Sequence, residues 1–136
     1  MRFLIDADVL SEPTKPEPRR SVVEWLRQHE PDLGICSITL GELRLGILKL
    51  AAGRRRRSLE TWYENGVEVM AIVDFDAAAA SQWALLMCDL QRRGRPMPVA
   101  DSLLAATARS RGLTVVTRNE AHFRDSGVRL LNPYVS

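Results

Sequence analysis

Phe3-Leu4-Ile5-Asp6-Ala7-Asp8 is the stretch from which the architecture of this chain is inferred. Its first three residues form an apolar run without a charge, which is typical of a strand buried on both faces at the centre of a parallel sheet. Asp6 and Asp8 follow where such a strand would end. Ligand sites of open α/β sheets lie beyond the carboxyl ends of the strands, so a carboxylate here either caps a short helix or belongs to a functional site.

The composition is typical of one soluble, globular domain. The chain has 136 residues, of which 46% are hydrophobic and 26% charged, and no repeat, linker or low-complexity segment divides it. We therefore expect a single domain over residues 1–136. No apolar run reaches the roughly 20 residues that cross a bilayer, and the early aspartates interrupt any signal-peptide core. Cys36 and Cys88 lie in apolar segments without metal-ligand spacing, which indicates buried thiols in a reducing, cytoplasmic compartment.

The basic residues are almost all arginines. The formal net charge is only +2, but Lys15 and Lys49 are the two lysines among 19 basic residues. Arginine suits bidentate contacts to phosphate, but a genomic codon bias that favours arginine and alanine is the preferred explanation of the excess. The run Arg54–Arg57 is either a nucleic-acid contact or the solvated start of a helix, and the sequence leaves both readings open.

Strand-like and helix-like segments alternate along the chain. Apolar or β-branched runs predict strands at residues 3–5, 33–37, 67–73, 113–116 and 128–131. Three- and four-residue apolar spacing, together with proline and glycine boundaries, predicts the intervening helices, which include 54–63, 77–92 and 98–111. This order predicts a three-layer α/β/α sandwich with a mostly parallel central sheet of about five strands.

Several polar residues fall at one edge of that predicted sheet. Asp6 ends the first strand, Glu42 lies at the start of the helix after the second strand, and Asn119 follows the strand ending at Thr117. Because the carboxyl ends of parallel strands share an edge, these side chains are expected to converge. Asp101 joins them if the helix opening at Pro98 packs with its N-terminus toward the same edge.

Each of these acids also has a purely structural interpretation. Thr39 and Glu42 fit a capping box, with Thr39 as N-cap and Glu42 as the third helical residue. Asp101 complements the dipole of its helix, and Asp8 suits the N-cap of a short helix.

Taken together, the acids predict hydrolytic chemistry. Three or four carboxylates in one cleft cannot all remain ionised without a nearby cation. Hard oxygen ligands select Mg²⁺ or Mn²⁺, and a metal-activated water beside a phosphodiester is suited to its hydrolysis. The acidic cluster thus indicates a nuclease.

Four stretches of the chain carry a family resemblance: residues 4–12, 37–46, 98–108 and 115–119. These stretches are Leu4-Ile-Asp-Ala-Asp-Val-Leu-Ser-Glu12, Ser37-Ile-Thr-Leu-Gly-Glu-Leu-Arg-Leu-Gly46, Pro98-Val-Ala-Asp-Ser-Leu-Leu-Ala-Ala-Thr-Ala108 and Val115-Val-Thr-Arg-Asn119. In order and spacing they resemble PIN-domain ribonucleases, specifically VapC-type toxins of type II toxin–antitoxin systems.

The resemblance implies a function, a site and partners. It implies metal binding by Asp6, Glu42 and Asp101, with Asn119 at the fourth catalytic position. It further implies a toxic endoribonuclease that depends on Mg²⁺ or Mn²⁺, RNA as substrate, a homodimer, and inhibition by a cognate antitoxin whose tail occupies the active-site groove. No membrane association is expected.

The chain departs from the family pattern at two places. Ala7-Asp8 stands where the family usually has Thr-Asn, so a hydroxyl is lost and a negative charge is added. His122 stands where many members carry an acid. A neutral imidazole can still form a hydrogen bond there, so the change bears on rate or pH optimum more than on identity.

Two other functions start from the same residues. Asp6-Ala-Asp8 also fits the opening motif of haloacid-dehalogenase-like phosphatases, with Asp6 as nucleophile. That fold needs a lysine after its second motif, and this chain has no lysine beyond Lys49. The other alternative is a non-catalytic relative that only binds RNA or a partner, and the presence of all three metal-type acids argues against it.

Overall fold

A computed structural model describes residues 1–135, in which five short strands form one sheet. The strands are β1 (Phe3–Ile5), β2 (Leu33–Cys36), β3 (Ala71–Val73), β4 (Thr114–Val116) and β5 (Leu130–Leu131). Their order is β3-β2-β1-β4-β5, and each neighbouring pair is parallel. The N-terminal strand is therefore the central one: Leu4 is in register with Gly34 on one side and with Val115 on the other.

Helices fill the connections between the strands. They are α1 (Ala7–Leu10), α2 (Arg20–Gln28), α3 (Ser37–Leu48), α4 (Arg54–Trp62), α5 (Ala77–Arg93), α6 (Val99–Arg111) and α7 (Glu120–Phe123). Short 3₁₀ turns lie at Glu12–Thr14 and Glu30–Asp32, and a π-helical turn at Tyr63–Val67 continues α4. None of the helices within residues 1–135 combines the length and apolar character that crossing a membrane requires.

Apolar side chains cover both faces of the sheet. Phe3 and Ile5 of β1 pack into a cluster with Val22 and Leu26 of α2. Leu4, which points to the opposite face, packs into a second cluster that includes Leu86 of α5 and Leu104 of α6. Successive strand residues face opposite sides, so β1 contributes to both cores and is buried throughout. The predicted three-layer α/β/α architecture with five parallel strands is confirmed.

Two expectations about individual segments are wrong. The strand predicted at 67–73 begins only at Ala71, because the chain after α4 continues as the π-helical turn and buries Val67 there. Cys88, which was expected to be buried, is exposed on α5, whereas Cys36 is buried at the end of β2. A local apolar run does not reveal which face of a helix points outward.

The direction of α6 brings its first turn to the carboxyl edge of the sheet. Gly112 ends α6 with φ +65°, a left-handed conformation that glycine adopts without steric cost, and β4 starts two residues later. The helix therefore runs antiparallel to β4. Trp83 of α5 donates a hydrogen bond to Ser102 (3.0 Å) and ties the two helices together near that first turn.

Candidate active site

Asp6 is held rigidly at the end of β1. It is 8% exposed, and one carboxylate oxygen accepts the backbone N–H of Ala7 at 2.8 Å. The other oxygen accepts the hydroxyl of Thr117, also at 2.8 Å, and Thr117 in turn accepts the backbone N–H of Asn119 at 3.0 Å. Asp6, rather than Asp8, is therefore the N-cap of α1.

Glu42 lies in the second turn of α3 and has no capping role. The helix begins at Ser37 with Cys36 as N-cap, so the capping box predicted for Thr39 and Glu42 is wrong. Thr39 is buried inside the helix, and its hydroxyl has no hydrogen-bond partner among the described residues. Within residues 1–135 the Glu42 carboxylate likewise has no hydrogen-bond partner, which leaves its oxygens available to a ligand.

Asp101 is the third residue of α6 and faces α7. Its carboxylate lies 3.0 Å from Nδ1 of His122, and α6 has no side-chain cap hydrogen bond. The carboxylate of Asp101 is thus oriented by a histidine on a neighbouring helix. His122, which replaces an acid of the family pattern, contacts one of the predicted site residues directly.

Asn119 and Asp8 form the remaining part of the cluster. The side-chain amide of Asn119 donates to the carboxylate of Asp8 at 3.4 Å, while Asp8 itself is exposed. The charge added at Asp8 therefore faces the predicted site rather than capping α1.

Burial and mutual repulsion raise the pKa values of the three predicted acids. For Asp6, burial raises the pKa, hydrogen bonds from Thr117 and Ala7 oppose it, and the charges of Asp101 and Asp8 add to it. Although Glu42 as a whole is exposed, partial burial of its carboxyl group raises its pKa, and the charges of Asp6, Asp101 and Asp8 raise it further.

The same holds for Asp101, where burial raises the pKa, contact with His122 lowers it, and the charge of Asp8 raises it. These four carboxylates thus interact through space, as their places at one edge of the sheet predict. In the described part of the chain, however, no group of three or more Asp, Glu, His or Cys side chains is close enough to enclose a metal ion.

The repulsion gives a testable effect on stability. We expect Glu42→Gln to stabilise the metal-free protein near neutral pH, because partial burial and the three neighbouring carboxylates all disfavour the charge of Glu42. The expected gain is about 0.3–1 kcal/mol, a small value because solvent screens this side chain. Because the folded-state pKa of Glu42 is raised above 4.5, the wild-type protein is not penalised below about pH 4.5 and loses stability as pH rises through that pKa. The gain from Glu42→Gln therefore grows with pH.

Urea unfolding in chelator at low salt, at pH 5 and pH 8, measures this gain. Glu64→Gln is the control, because Glu64 is exposed on the π-helical turn. Equal changes in the two variants, or a gain that does not grow with pH, would contradict the repulsion.

Four residues near the site were not assigned a role from the sequence. Thr117 orients Asp6, and Glu12, Tyr134 and Arg118 form a second group beside it. Glu12 is 3% exposed and accepts hydrogen bonds from the ammonium of Lys15 (2.8 Å), the hydroxyl of Tyr134 (2.6 Å) and the backbone N–H of Arg19 (2.8 Å). These bonds, led by Lys15, lower the pKa of Glu12 to about 2. No local pattern identifies partners that lie 122 residues apart.

A groove of about 280 Å³ extends from Glu42 toward the arginine run. Lys15 and Arg55 line it, and Leu43 and Trp62 form part of its apolar wall. The run itself is partly structural: Arg55 donates to the carbonyl of Thr14 (2.7 Å), and Arg56 pairs with Glu60 (2.8 Å). A larger cavity of about 540 Å³ lies elsewhere, between α2 and β3, and none of the site acids lines it.

Comparison with known proteins identifies relatives along the whole chain. The PIN domain family model matches residues 3–127. The chain is 33% identical to toxin FitB of Neisseria gonorrhoeae, covering 97% of this chain and 98% of FitB. It is 34% identical to VapC ribonuclease Y4jK of Sinorhizobium fredii, covering 97% of each, and 32% identical to the tRNA(fMet)-specific endonuclease VapC of Shigella flexneri, covering 93% of each.

Solved structures agree with these matches. The crystal structure of FitAcB from Neisseria gonorrhoeae aligns with a TM-score of 0.92 at 33% identity, over 98% of this chain and 99% of that chain. DNA-bound VapBC from Salmonella typhimurium aligns with a TM-score of 0.83 at 28% identity, over 98% of each chain. The chain therefore belongs to the PIN-domain family and, within it, to the VapC-type ribonuclease toxins of toxin–antitoxin systems.

Proposed function

We propose that this chain is a toxic endoribonuclease that needs Mg²⁺ or Mn²⁺ and is inhibited by a cognate antitoxin. The observation that carries the proposal is the convergence of Asp6, Glu42 and Asp101 at the carboxyl edge of the sheet, where Thr117 links Asp6 to Asn119 and the acids raise one another's pKa values. We take residues 1–136 as one PIN-like domain that acts in the cytoplasm, where its RNA substrate lies, and that forms a homodimer.

The donor atoms at this edge fit a hard divalent cation. Asp6, Glu42 and Asp101 would hold it, because carboxylate oxygens are the ligands that Mg²⁺ and Mn²⁺ prefer. Mg²⁺ keeps several of its waters and is bound through few carboxylates, so it does not require a cage of protein ligands. When bound, the cation supplies an acidified water and stabilises the departing oxygen of the phosphodiester.

The surrounding residues keep these carboxylates in place. Thr117 and the N–H of Ala7 fix both oxygens of Asp6, and His122 orients Asp101. Asn119 presents an amide that donates to Asp8 and has a carbonyl oxygen left to face substrate or water. Such supporting contacts hold reactive groups in position before substrate arrives.

Ribonuclease activity is favoured over the two alternatives. The relatives at 32–34% identity are named as a ribonuclease and a tRNA-specific endonuclease, and their similarity extends over nearly the whole chain. The phosphatase hypothesis requires a downstream lysine that this chain lacks, and it has no support among the relatives. A non-catalytic role is disfavoured because Asp6, Glu42, Asp101 and Asn119 all occupy the same edge.

An antitoxin is the expected partner. The aligned structures include toxin–antitoxin complexes, FitAcB and DNA-bound VapBC. In this chain the groove beside Glu42, with its apolar wall, suits an extended segment of a small protein. An arginine on that segment would bind the acidic cluster bidentately and neutralise it, taking the place of the cation.

The test is cleavage of RNA by purified protein freed of any bound partner. We expect mixed cellular RNA to be cut in Mg²⁺ or Mn²⁺ and to remain intact in excess EDTA, with cleavage restored when Mg²⁺ is added beyond the chelator. Mock-purified protein from cells carrying an empty vector controls for contaminating nuclease. Cleavage that persists undiminished in EDTA would refute the metal dependence, and intact RNA in both metals would refute the ribonuclease.

A further inference from the structure

Two arginines stack against one tyrosine at the rim of the acidic site. Arg118 is exposed and lies between Thr117, which contacts Asp6, and Asn119. Its guanidinium carbon is 4.5 Å from the centroid of the Tyr134 ring, and that of Arg19 is 5.6 Å from the same ring. We call Arg19, Arg118 and Tyr134 the rim cluster.

The charges of the rim cluster are not neutralised by the protein. In residues 1–135, neither guanidinium group forms an ion pair with a carboxylate. The recorded hydrogen bond of the Arg19 side chain goes to the backbone carbonyl of Tyr134, at 3.4 Å. Two positive charges therefore lie beside a strongly acidic cleft, with donor groups still available to a ligand.

The tyrosine is fixed in position by several contacts. Its hydroxyl donates to the buried carboxylate of Glu12 at 2.6 Å and lies 3.5 Å from the carbonyl oxygen of Asp8. Its backbone N–H donates to the side chain of Asn132 (2.9 Å), whose amide donates to the carbonyl of Arg118 (3.4 Å). The ring and the arginine above it are thus connected to the chain segments that carry Asp8 and Asn119.

RNA, a polyanionic substrate, needs positive charges next to an acidic cleft in order to bind there. Four carboxylates repel the phosphates of RNA, so the strand must gain affinity from cations close to the cleft. Arginine binds phosphate with paired N–H donors, and a guanidinium group that lies over an aromatic ring is held in position for such a contact. The rim cluster combines two guanidinium groups with the ring that positions them.

We propose that the rim cluster binds single-stranded RNA next to the bond that is cut, with the guanidinium groups of Arg118 and Arg19 on its phosphates and the Tyr134 ring holding them in place. This inference rests on the proposed ribonuclease function and assigns its substrate contact. Arg118, which is adjacent to two residues of the acidic site, is the primary phosphate contact, and Tyr134 keeps its guanidinium group in position.

The test is binding of a fluorescent single-stranded RNA in EDTA, where no cleavage is expected, at several KCl concentrations. Arg118→Ala should raise the Kd about tenfold, as expected for loss of a charge-assisted contact, and should lower the slope of log Kd against log salt by about 0.7. Tyr134→Phe, which keeps the ring, should bind RNA like wild type, whereas Tyr134→Leu should bind more weakly.

Arg129→Ala is the matched control and should bind like wild type. Arg129 is exposed and donates to the carbonyl of Gly112 (2.8 Å), at the amino edge of the sheet, opposite the site. Should Arg118→Ala not fold, as judged by circular dichroism, Arg118→Gln gives the same readout with more of the side chain retained.

The outcomes separate this inference from the proposed function. Wild-type protein that cuts RNA, together with an Arg118→Ala variant whose Kd and salt slope match wild type, would overturn the rim cluster alone. Protein that binds RNA through Arg118 but cuts none in Mg²⁺ or Mn²⁺ would overturn the ribonuclease alone. An Arg118→Ala variant that loses affinity only for the antitoxin would assign the cluster to that protein and overturn the proposal.

Discussion

Asp6→Asn is expected to reduce RNA cleavage by more than about 100-fold, a larger loss than removal of an outer supporting contact causes. The substitution keeps the shape and leaves an oxygen for the N–H of Ala7 or the hydroxyl of Thr117, but it removes the charge at the centre of the acidic cluster. Cleavage of a labelled RNA under single-turnover conditions in Mg²⁺ measures the loss. In cells, the wild-type chain expressed without antitoxin should arrest growth, and the variant should not.

Two further variants make this result specific. Thr117→Val leaves the carboxylate of Asp6 charged but removes one of its hydrogen bonds, so we expect an intermediate loss of about 10- to 100-fold. Asp74→Asn changes an exposed aspartate after β3 and should cut RNA like wild type. Asp6→Asn protein that is folded and cuts RNA at the wild-type rate would exclude Asp6 from the catalytic machinery.

Glu12→Gln is expected to lower the free energy of unfolding by about 3 kcal/mol at pH 7, as is typical when one partner of a buried charged network is removed. The side chain is almost fully buried, and its charge accepts bonds from Lys15, Tyr134 and the backbone of Arg19. A neutral amide keeps the volume but leaves Lys15 without its partner. Urea unfolding of the two proteins, followed by circular dichroism, measures the difference.

The pH dependence of that difference gives a second check. The folded-state pKa of Glu12 is lowered from 4.5 to about 2. Its stabilising contribution is therefore complete above about pH 4.5 and is lost as pH falls toward 2. Wild type and Glu12→Gln should converge in stability near pH 2. The exposed control Glu64→Gln should match wild type at pH 7. A constant gap between wild type and Glu12→Gln over this range would mean that the charge of Glu12 contributes nothing.

The architecture could be predicted because its signals are local. The apolar run at residues 3–5 identifies a doubly buried strand, and glycines with φ near +60° end α5 and α6 at Gly94 and Gly112, where their positions in the sequence indicate helix ends. The prediction of strand β3 was less accurate, because Val67 and Ile72 are both apolar, β-branched residues that the sequence pattern does not distinguish. Val67 is buried in the π-helical turn after α4, whereas Ile72 lies in the strand and is exposed.

The site was predictable in outline but not in its supporting contacts. Asp6, Glu42, Asp101 and Asn119 were expected at one edge because parallel strands end there, and the structure places them at that edge. Their roles in catalysis remain a prediction. The hydrogen bond from Thr117 to Asp6 joins residues 111 positions apart, so no spacing or motif indicates it. The hydrogen bond between Glu12 and Tyr134 joins residues 122 positions apart and was missed for the same reason.

The strand order has a consequence for synthesis of the toxin on the ribosome. Strand β1 is translated before β4 but pairs with it, and Asp6 needs the hydroxyl of Thr117, which also follows position 113. A nascent chain that has reached α5 carries Asp6 and Glu42 but neither Asp101 nor Asn119. The acidic site therefore cannot assemble until translation has passed Asn119, because every shorter nascent chain lacks at least one of its residues. Interrupted translation yields fragments without a complete site.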